Sequence, residues 1–204
     1  MRLHVVFTSE HPICLPWHYS QLLHGYLYAA IAKSDPKLGE FLHDRGFRVE
    51  AHRYKMLVFS RLFPRRARAS KEGLTLFPPV HWWVGSPLAG PMEALAITLL
   101  SEGVAIIGDQ LLPVERVEVE PMPDLSEEVL CEMISPLVAS TGILNGEKLQ
   151  KRFLSPDEPG FWQVLTQNLM RKASVLGLNV PSDAVVRFVR VGEWRSRLLL
   201  AQGT

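Results

Sequence analysis

Residues 86–119, SPLAGPMEALAITLLSEGVAIIGDQLLPVERVEV, carry the clearest structural pattern of the chain. Apolar side chains recur at helical spacing over residues 86–101, which predicts a helix with one buried face. That face consists of Leu88, Met92, Leu95, Ala96, Leu99 and Leu100. Two β-rich runs follow, residues 104–107 and 111–119, with Gly108-Asp109 between them. The stretch therefore predicts a helix followed by two tightly connected strands.

The residues before this stretch predict the other elements of a βαββαβ domain. Asp35 suits the N-cap of a short helix, Pro36 its first position and Gly46 its C-terminal cap. The remaining patterns predict a strand over 2–8, a helix over 17–33, a β-rich run over 55–63, a basic turn over 64–73, and a strand over 74–84 broken at Pro78-Pro79. This order is that of a ferredoxin-like fold, which we assign to residues 1–121.

The second half of the sequence begins in the same way. Pro121-Met-Pro123-Asp124 is the best linker candidate, and we assign a second ferredoxin-like domain to residues 125–204. The patterns predict a strand over 129–138, a hairpin around Asn145-Gly146, a helix ending at Gly177, and strands over 185–191 and 193–200. We therefore expect an α+β protein of two tandem ferredoxin-like domains, the second without its last helix and strand.

Composition indicates an ordinary globular protein. The formal net charge is only +1, and 47% of the residues are hydrophobic. Two cysteines, Cys14 and Cys131, cannot form a disulfide framework or a cysteine-built zinc site. The first residues turn polar too early for a signal peptide, and the longest apolar run, residues 94–100, is too short to span a bilayer. We expect a soluble, cytoplasmic protein that needs no metal or other cofactor.

Charge is concentrated in two blocks of opposite sign. Residues 45–71 contain nine Lys or Arg and one acid, whereas residues 115–132 contain seven acids and one base. Such segregation favours an oriented surface whose basic side faces a polyanion. The alternative is a solvated basic loop that only keeps the protein soluble.

Several short strings, taken in order, resemble one family. They are LPWHY (15–19), LHGYLYAAI (23–31), FLHDRGF (41–47), KMLVFSRLF (55–63), ISPLV (134–138), LSPD (154–157) and NLMRK (168–172). Together they are similar to the CRISPR-associated repeat-cleaving endoribonucleases of the RAMP superfamily, which process precursor CRISPR RNA. The resemblance covers essentially the whole chain and implies two ferredoxin-like folds, although the glycine-rich hairpin with which members usually end has no counterpart before Thr204.

The resemblance implies cleavage without a metal ion, by attack of the RNA's own 2′-hydroxyl on the adjacent phosphate. The products would carry 2′,3′-cyclic phosphate and 5′-hydroxyl ends. His43 matches the family's catalytic histidine, Lys55 the lysine that opens the next strand, and Tyr28 the tyrosine near the end of the first helix. The alternatives are a surface histidine, a solvated lysine and a core tyrosine.

The basic block supplies candidates for binding the RNA backbone. They are Arg53, Arg61, Arg65, Arg66 and Arg68. The expected partner is CRISPR repeat RNA, with other CRISPR-associated proteins or a second copy of the chain as open alternatives, and no membrane. Two other functions remain open: a protein of this fold that holds the repeat without cutting it, and a scaffold subunit of a ribonucleoprotein.

Two histidine-rich strings have simpler interpretations. His11, Cys14, His18 and His24 suggest a zinc cluster, but the intervening prolines and the predicted helix separate them. His81-Trp82-Trp83 suggests a platform for stacking bases. Consecutive residues of a strand face opposite sides of a sheet, so we expect at least one of these tryptophans in the core.

Overall fold

The computed structural model describes residues 1–50, 52–122, 131–145 and 148–180. The chain divides into two compact units, Met1–Leu137 and Val138–Thr204, each of which is described by itself. The predicted linker over 121–124 falls partly outside the described residues, so the assigned domain limits stay a prediction. No helix among the described residues is long and apolar enough to cross a membrane.

The first unit is an antiparallel sheet covered by helices. Its strands are β1 (Arg2–Phe7), β2 (Ile13–Pro16), β3 (Phe47–Val49), β4 (His52–Tyr54), β5 (Val58–Phe59), β6 (Phe63–Ala69), β7 (Gly73–Gly85), β8 (Val104–Ile107) and β9 (Gln110–Glu120). Its helices are α1 (Tyr19–Ser34), α2 (Pro36–Glu40) and α3 (Ala89–Glu102), and a π-helical turn spans Phe41–Arg45. The main sheet has the order β2-β7-β1-β9-β8, with β5 and β6 also paired to β7, whereas β3 and β4 form a separate hairpin.

The order β6-β7-β1-β9 is that of a ferredoxin-like domain, which confirms the predicted α+β class. Leu3, Val5 and Phe7 alternate along β1 onto the helix-covered face of the sheet and are fully buried. Leu23, Leu27 and Ile31 of α1 enter the same core, in which Trp82 is the largest fully buried side chain. Met92, Leu95 and Leu99 of α3 are buried there as predicted, but the prediction is wrong for Leu100, which is 65% exposed because it lies at the edge of the apolar face. The expectation that one of the paired tryptophans is a core residue is thus confirmed.

Strand β7 continues through Pro78-Pro79, where a break was predicted. On one side, β2 pairs with β7 up to Leu76 and β1 pairs with it from Val80 onward. On the other side, the register of β6 shifts between Pro64 and Arg66. The two prolines therefore stand where neither neighbour requires a backbone N–H donor, so the strand tolerates them.

The segment from Lys55 to Ala69 differs from the sequence prediction. Residues 55–63 are strand only at Val58–Phe59, because Met56 adopts a positive φ of 54° and interrupts the extended chain. The predicted basic turn over 64–73 is largely strand β6, and the chain turns only at residues 70–72. Polar composition suggested a turn here, but pairing with β7 holds this stretch extended.

In the second unit, the structure describes a hairpin and a helix. Strands β10 (Ser140–Asn145) and β11 (Lys148–Phe153) pair at the predicted hairpin, and α4 (Pro159–Val175) ends before Gly177, as predicted. The predicted strand over 129–138 is wrong for residues 131–138, which are irregular. The strands predicted over 185–191 and 193–200, and the expected missing elements at the C-terminus, lie outside the described residues.

Candidate active site

A short turn after α2 presents His43 to solvent. Asp35 caps α2, because its carboxylate accepts a hydrogen bond from the Leu38 N–H at 3.0 Å, and Pro36 occupies the first helical turn. The chain then widens into the π-helical turn, whose Leu42 is fully buried. Leu42 and the partly buried Phe41 pack the turn on the core, and the side chain of the residue after Leu42, His43, remains 72% exposed.

Gly46 allows the chain to come back close to this turn. Its φ of 62° and ψ of −173° form a combination that glycine alone adopts readily. A β-carbon at Gly46 would lie 2.7 Å from the carbonyl oxygen of Tyr54 and 3.1 Å from Cδ of Lys55. The absence of a side chain at Gly46 therefore lets the segment from Arg53 to Lys55 cross directly over the turn.

The crossing segment is bonded to the backbone beside the histidine. The Lys55 ammonium donates to the carbonyl oxygen of His43, and the Arg53 guanidinium donates to that of Asp44 at 2.7 Å. These carbonyls lie where the turn ends and lack the usual helical partners. Two of the predicted site residues, Lys55 and Arg53, thus hold the end of the turn that carries a third, His43.

Tyr28 completes the group but is mainly a core residue. Its ring lies edge-on to the His43 imidazole, with the ring centroids 6.1 Å apart, and it also contacts His24. The residue is 9% exposed and belongs to the hydrophobic core, which agrees with the alternative of a core tyrosine. Burial raises the pKa of its hydroxyl, which is therefore a hydrogen-bond donor at neutral pH.

The resemblance implied that Lys55 opens a strand, but in the structure Lys55 is not part of a strand. It is half-buried in the irregular segment between β4 and β5, immediately before Met56. Burial lowers the pKa of its ammonium, and the charge of Arg53 lowers it further, while Asp44 acts in the opposite direction. The ammonium is thus held close to a second cation, which favours an anion at this position.

The predicted RNA-binding arginines occupy three different places. Arg53 belongs to the site described above. Arg61 is half-buried near Tyr19, where burial raises the pKa of the phenol and the charge of Arg61 opposes that rise. Arg65, Arg66 and Arg68 lie exposed on β6, a separate element.

On β6, Arg66 and Arg68 share one face because they are two residues apart. Arg66 pairs in register with Phe77, and its guanidinium carbon lies 4.2 Å from the centre of that ring. Arg65 falls where the register shifts, so its direction does not follow the simple alternation. The stacked Arg66 keeps its N–H groups at the guanidinium edge, from which they can reach a phosphate.

Sequence reasoning missed Asp44. Its Oδ1 lies 2.6 Å from Nδ1 of His43, and this hydrogen bond is the main cause that holds the pKa of the Asp44 carboxyl below its ordinary value. The charges of His43, Lys55 and Arg45 act in the same direction. A carboxylate immediately after a candidate catalytic histidine was a visible signal for this residue.

The other histidine-rich strings have different surroundings. Trp83 stacks on His4, with ring centroids 4.6 Å apart, and its indole N–H donates to Glu120 at 2.7 Å. His4 is also 2.9 Å from His81 through Nε2 and Nδ1. In the part of the chain that the structure describes, no group of three or more His, Cys, Asp or Glu side chains is arranged to hold a metal ion.

Comparison with known proteins agrees with the fold and with the resemblance. Residues 119–194 match the family model described as CRISPR associated protein Cas6, C-terminal. The structure is similar to that of a Cas6-related gene product from Pyrococcus furiosus, with a TM-score of 0.70 and 18% identity over 89% of this chain and 73% of that one. No curated protein matches the sequence.

Two further solved structures share this fold. One is described as a RAMP protein binding different RNA substrates, with a TM-score of 0.71 and 20% identity over 87% of this chain and 72% of that chain. The other is described as CRISPR associated protein Cas6, with a TM-score of 0.66 and 22% identity over 87% and 71%. The resemblance that the sequence strings predicted is confirmed, as is the double ferredoxin-like fold.

Proposed function

From the match of residues 119–194 to the Cas6 C-terminal family, we propose that this protein binds CRISPR repeat RNA and cleaves it to mature precursor CRISPR RNA. Cleavage needs no metal ion and leaves 2′,3′-cyclic phosphate and 5′-hydroxyl ends. The observation that carries the proposal is the grouping of His43, Lys55 and Tyr28. The resemblance implies a role for these residues of three separate segments, and they lie around one turn.

His43 is the group that transfers protons in this proposal. An imidazole exchanges protons near neutral pH, and the exposed ring can reach a ribose hydroxyl of bound RNA. In the reaction, the 2′-oxygen bonds to phosphorus as the bond from phosphorus to the 5′-oxygen breaks. The imidazole takes the 2′-hydroxyl proton, and the leaving 5′-oxygen takes a proton from water.

In this proposal, Lys55 stabilises charge on the phosphate and Tyr28 donates a hydrogen bond. An ammonium has three N–H donors, of which one is directed to the carbonyl of His43, and the others remain for the phosphate. The positive charge of the ammonium offsets the negative charge that develops on the phosphate oxygens as the 2′-oxygen attacks. The neutral Tyr28 hydroxyl acts as a donor and not as a base, since burial raises its pKa.

A second candidate is a protein that holds the repeat without cutting it. The burial of Tyr28 favours this alternative, because a core tyrosine supports the turn whether or not chemistry occurs there. The arginines of β6 would bind the RNA backbone under either function, so binding alone does not separate the two.

The test is cleavage of RNA that carries the repeat from the organism's own CRISPR locus, in excess EDTA. A matched RNA has a 2′-deoxy nucleotide at the cut site, and an RNA of scrambled sequence serves as the control. We expect cleavage of the ribose substrate alone, with a cyclic phosphate end. Tight binding without cleavage would support the holding function, and co-purification with other subunits without affinity for free repeat would support a scaffold.

A further inference from the structure

The carboxylate of Asp44 is hydrogen-bonded to Nδ1 of the His43 ring. We propose that Asp44 is a positioning residue, which keeps a proton on Nδ1 of His43 so that Nε2 is the nitrogen that acts on the RNA. The distance from Nδ1 to Oδ1 is 2.6 Å. This inference rests on the proposed function, because it assigns a role within the same site.

The chemistry of the two groups determines which nitrogen carries the proton. An ionised carboxylate can only accept hydrogen bonds, so the nitrogen that faces it must donate. The Asp44 carboxyl is ionised at neutral pH, because its pKa is held below the ordinary 3.8, chiefly by the hydrogen bond from His43. A neutral imidazole with its proton on Nδ1 presents a lone pair on Nε2, which is the form that a general base requires.

The backbone of the pair is held at both residues. Lys55 donates to the carbonyl of His43 and Arg53 to that of Asp44, so two cations from one crossing segment restrain consecutive peptide groups. Buried Leu42 restrains the turn from the other side. Because the backbone is held at these points, little freedom remains to the pair beyond rotation of the two side chains.

The surroundings of the pair favour a charged carboxylate. The charged and titratable groups that face it are Arg45 on the turn itself, Arg53 and Lys55 on the crossing segment, and Tyr28 on α1. Three of these are cations, which stabilise Asp44 in its ionised form. The negative charge of Asp44 in turn stabilises the imidazolium that forms when Nε2 takes the proton of the ribose hydroxyl.

Both side chains of the pair are largely exposed to solvent. The His43 side chain is 72% exposed and that of Asp44 is 59% exposed. A nucleotide can therefore reach the His43 ring. With Nδ1 occupied by the carboxylate, the geometry assigns the substrate to Nε2.

The experiment combines a spectroscopic and a kinetic measurement on the full chain. Nitrogen NMR of the His43 ring reports directly which nitrogen is protonated at a pH where the ring is neutral. We expect the proton on Nδ1 in the wild type and in Asp44→Asn, whose amide oxygen still accepts, and a shift toward Nε2 in Asp44→Ala. Glu40→Gln is the control, because it removes another exposed carboxylate three residues before His43. It should leave the proton on Nδ1.

In single-turnover cleavage of repeat RNA, we expect Asp44→Ala to lower the rate by about 10- to 100-fold with an unchanged dissociation constant for the RNA. The cleavage rate of Asp44→Asn should lie between those of the wild type and Asp44→Ala, because this variant keeps the hydrogen bond but loses the charge. Asp44→Glu should cleave faster than Asp44→Ala. The double variant His43→Ala/Asp44→Ala should be no slower than His43→Ala, since Asp44 acts through His43.

A wild-type rate in Asp44→Ala, or a double variant slower than His43→Ala, would overturn the positioning role while leaving the proposed function intact. If the wild type does not cleave, the proposed function fails, and the role of Asp44 in cleavage fails with it. If the wild type cleaves but the ring is unchanged in Asp44→Ala, the positioning role alone is overturned.

Discussion

Replacing Gly46 by alanine tests how closely the crossing segment lies against the turn that carries His43. Gly46 combines a φ of 62° with a ψ of −173°, where a residue other than glycine costs about 1–3 kcal/mol. The new β-carbon would also lie 2.7 Å from the Tyr54 carbonyl oxygen. A backbone carbonyl cannot rotate away as the end of a side chain can, so the segment and the turn must separate.

Gly103→Ala is the matched control for this change. Gly103 ends α3 with a φ of 67°, and a β-carbon there would meet no atom within 4 Å. We expect this control to lower the free energy of unfolding by about 1 kcal/mol, which is the cost of the positive φ alone. For Gly46→Ala we expect a loss of about 2–4 kcal/mol, because the steric overlap adds to the conformational cost.

The functional consequence should separate the two variants more sharply than stability does. Separation of the segment from the turn removes the hydrogen bonds that Lys55 and Arg53 donate to the turn. A displacement of about 1 Å at a catalytic group can cost about 100-fold in rate. We expect this loss in single-turnover cleavage of repeat RNA by Gly46→Ala, and a wild-type rate for Gly103→Ala.

The assay is urea unfolding of both variants, followed by cleavage in urea-free buffer. Equal losses of stability and equal cleavage rates for Gly46→Ala and Gly103→Ala would refute the reasoning. The close approach of Tyr54 and Lys55 to Gly46 would then not exist in the protein, and the bonds from the crossing segment to the turn would not hold the site.

Three further changes test the fold and the basic strand. Trp82→Ala should lower the free energy of unfolding by about 3–5 kcal/mol in urea titration, because the side chain is fully buried; a loss below 1 kcal/mol would contradict its place in the core. Burial, and to a lesser degree His4, lowers the pKa of His81 below its ordinary 6.5. The unfolded chain then binds more protons, so stability should fall as the pH drops below 6.5, and His81→Gln should flatten that dependence in melts at several pH values. Arg66→Ala should weaken RNA binding and reduce the slope of log K against log salt by about 0.7; an unchanged slope would exclude a phosphate contact.

The sequence predicted the elements whose stabilisation is local. The helix–strand–strand stretch over 86–119 has strong apolar periodicity and glycines at its turns, and it folds as predicted. The predicted short helix begins at Asp35 and Pro36 and ends at Gly46 as expected, although the structure divides it into α2 and the π-helical turn. In these places each residue's own preference agrees with the fold.

The sequence could not predict elements that depend on a distant partner. Strand β6 has few apolar residues and is held extended by pairing with β7. The positive φ of Met56 could not be predicted locally either, because methionine does not favour this conformation and the residue adopts it where it is buried, with 7% exposure. These two differences lie in residues 55–69, where tertiary contacts outweigh local propensity.

The candidate site was accessible from the sequence only in part. No spacing rule connects Tyr28, His43 and Lys55, which lie on a helix, a turn and an irregular segment, so only the family resemblance grouped them. The bonds from Lys55 and Arg53 to main-chain carbonyls could not be predicted, because they depend on how the chain crosses itself at Gly46.

The most direct test of the proton transfer by His43 is the rate at which His43→Ala cleaves repeat RNA under single-turnover conditions in EDTA. His18→Ala is the matched control, since His18 is also exposed and its side chain makes no capping hydrogen bond at the start of α1. We predict that His43→Ala slows cleavage by about 10²- to 10⁴-fold and binds RNA with the wild-type dissociation constant. His18→Ala should cleave at the wild-type rate. Cleavage by His43→Ala at the wild-type rate would contradict the account.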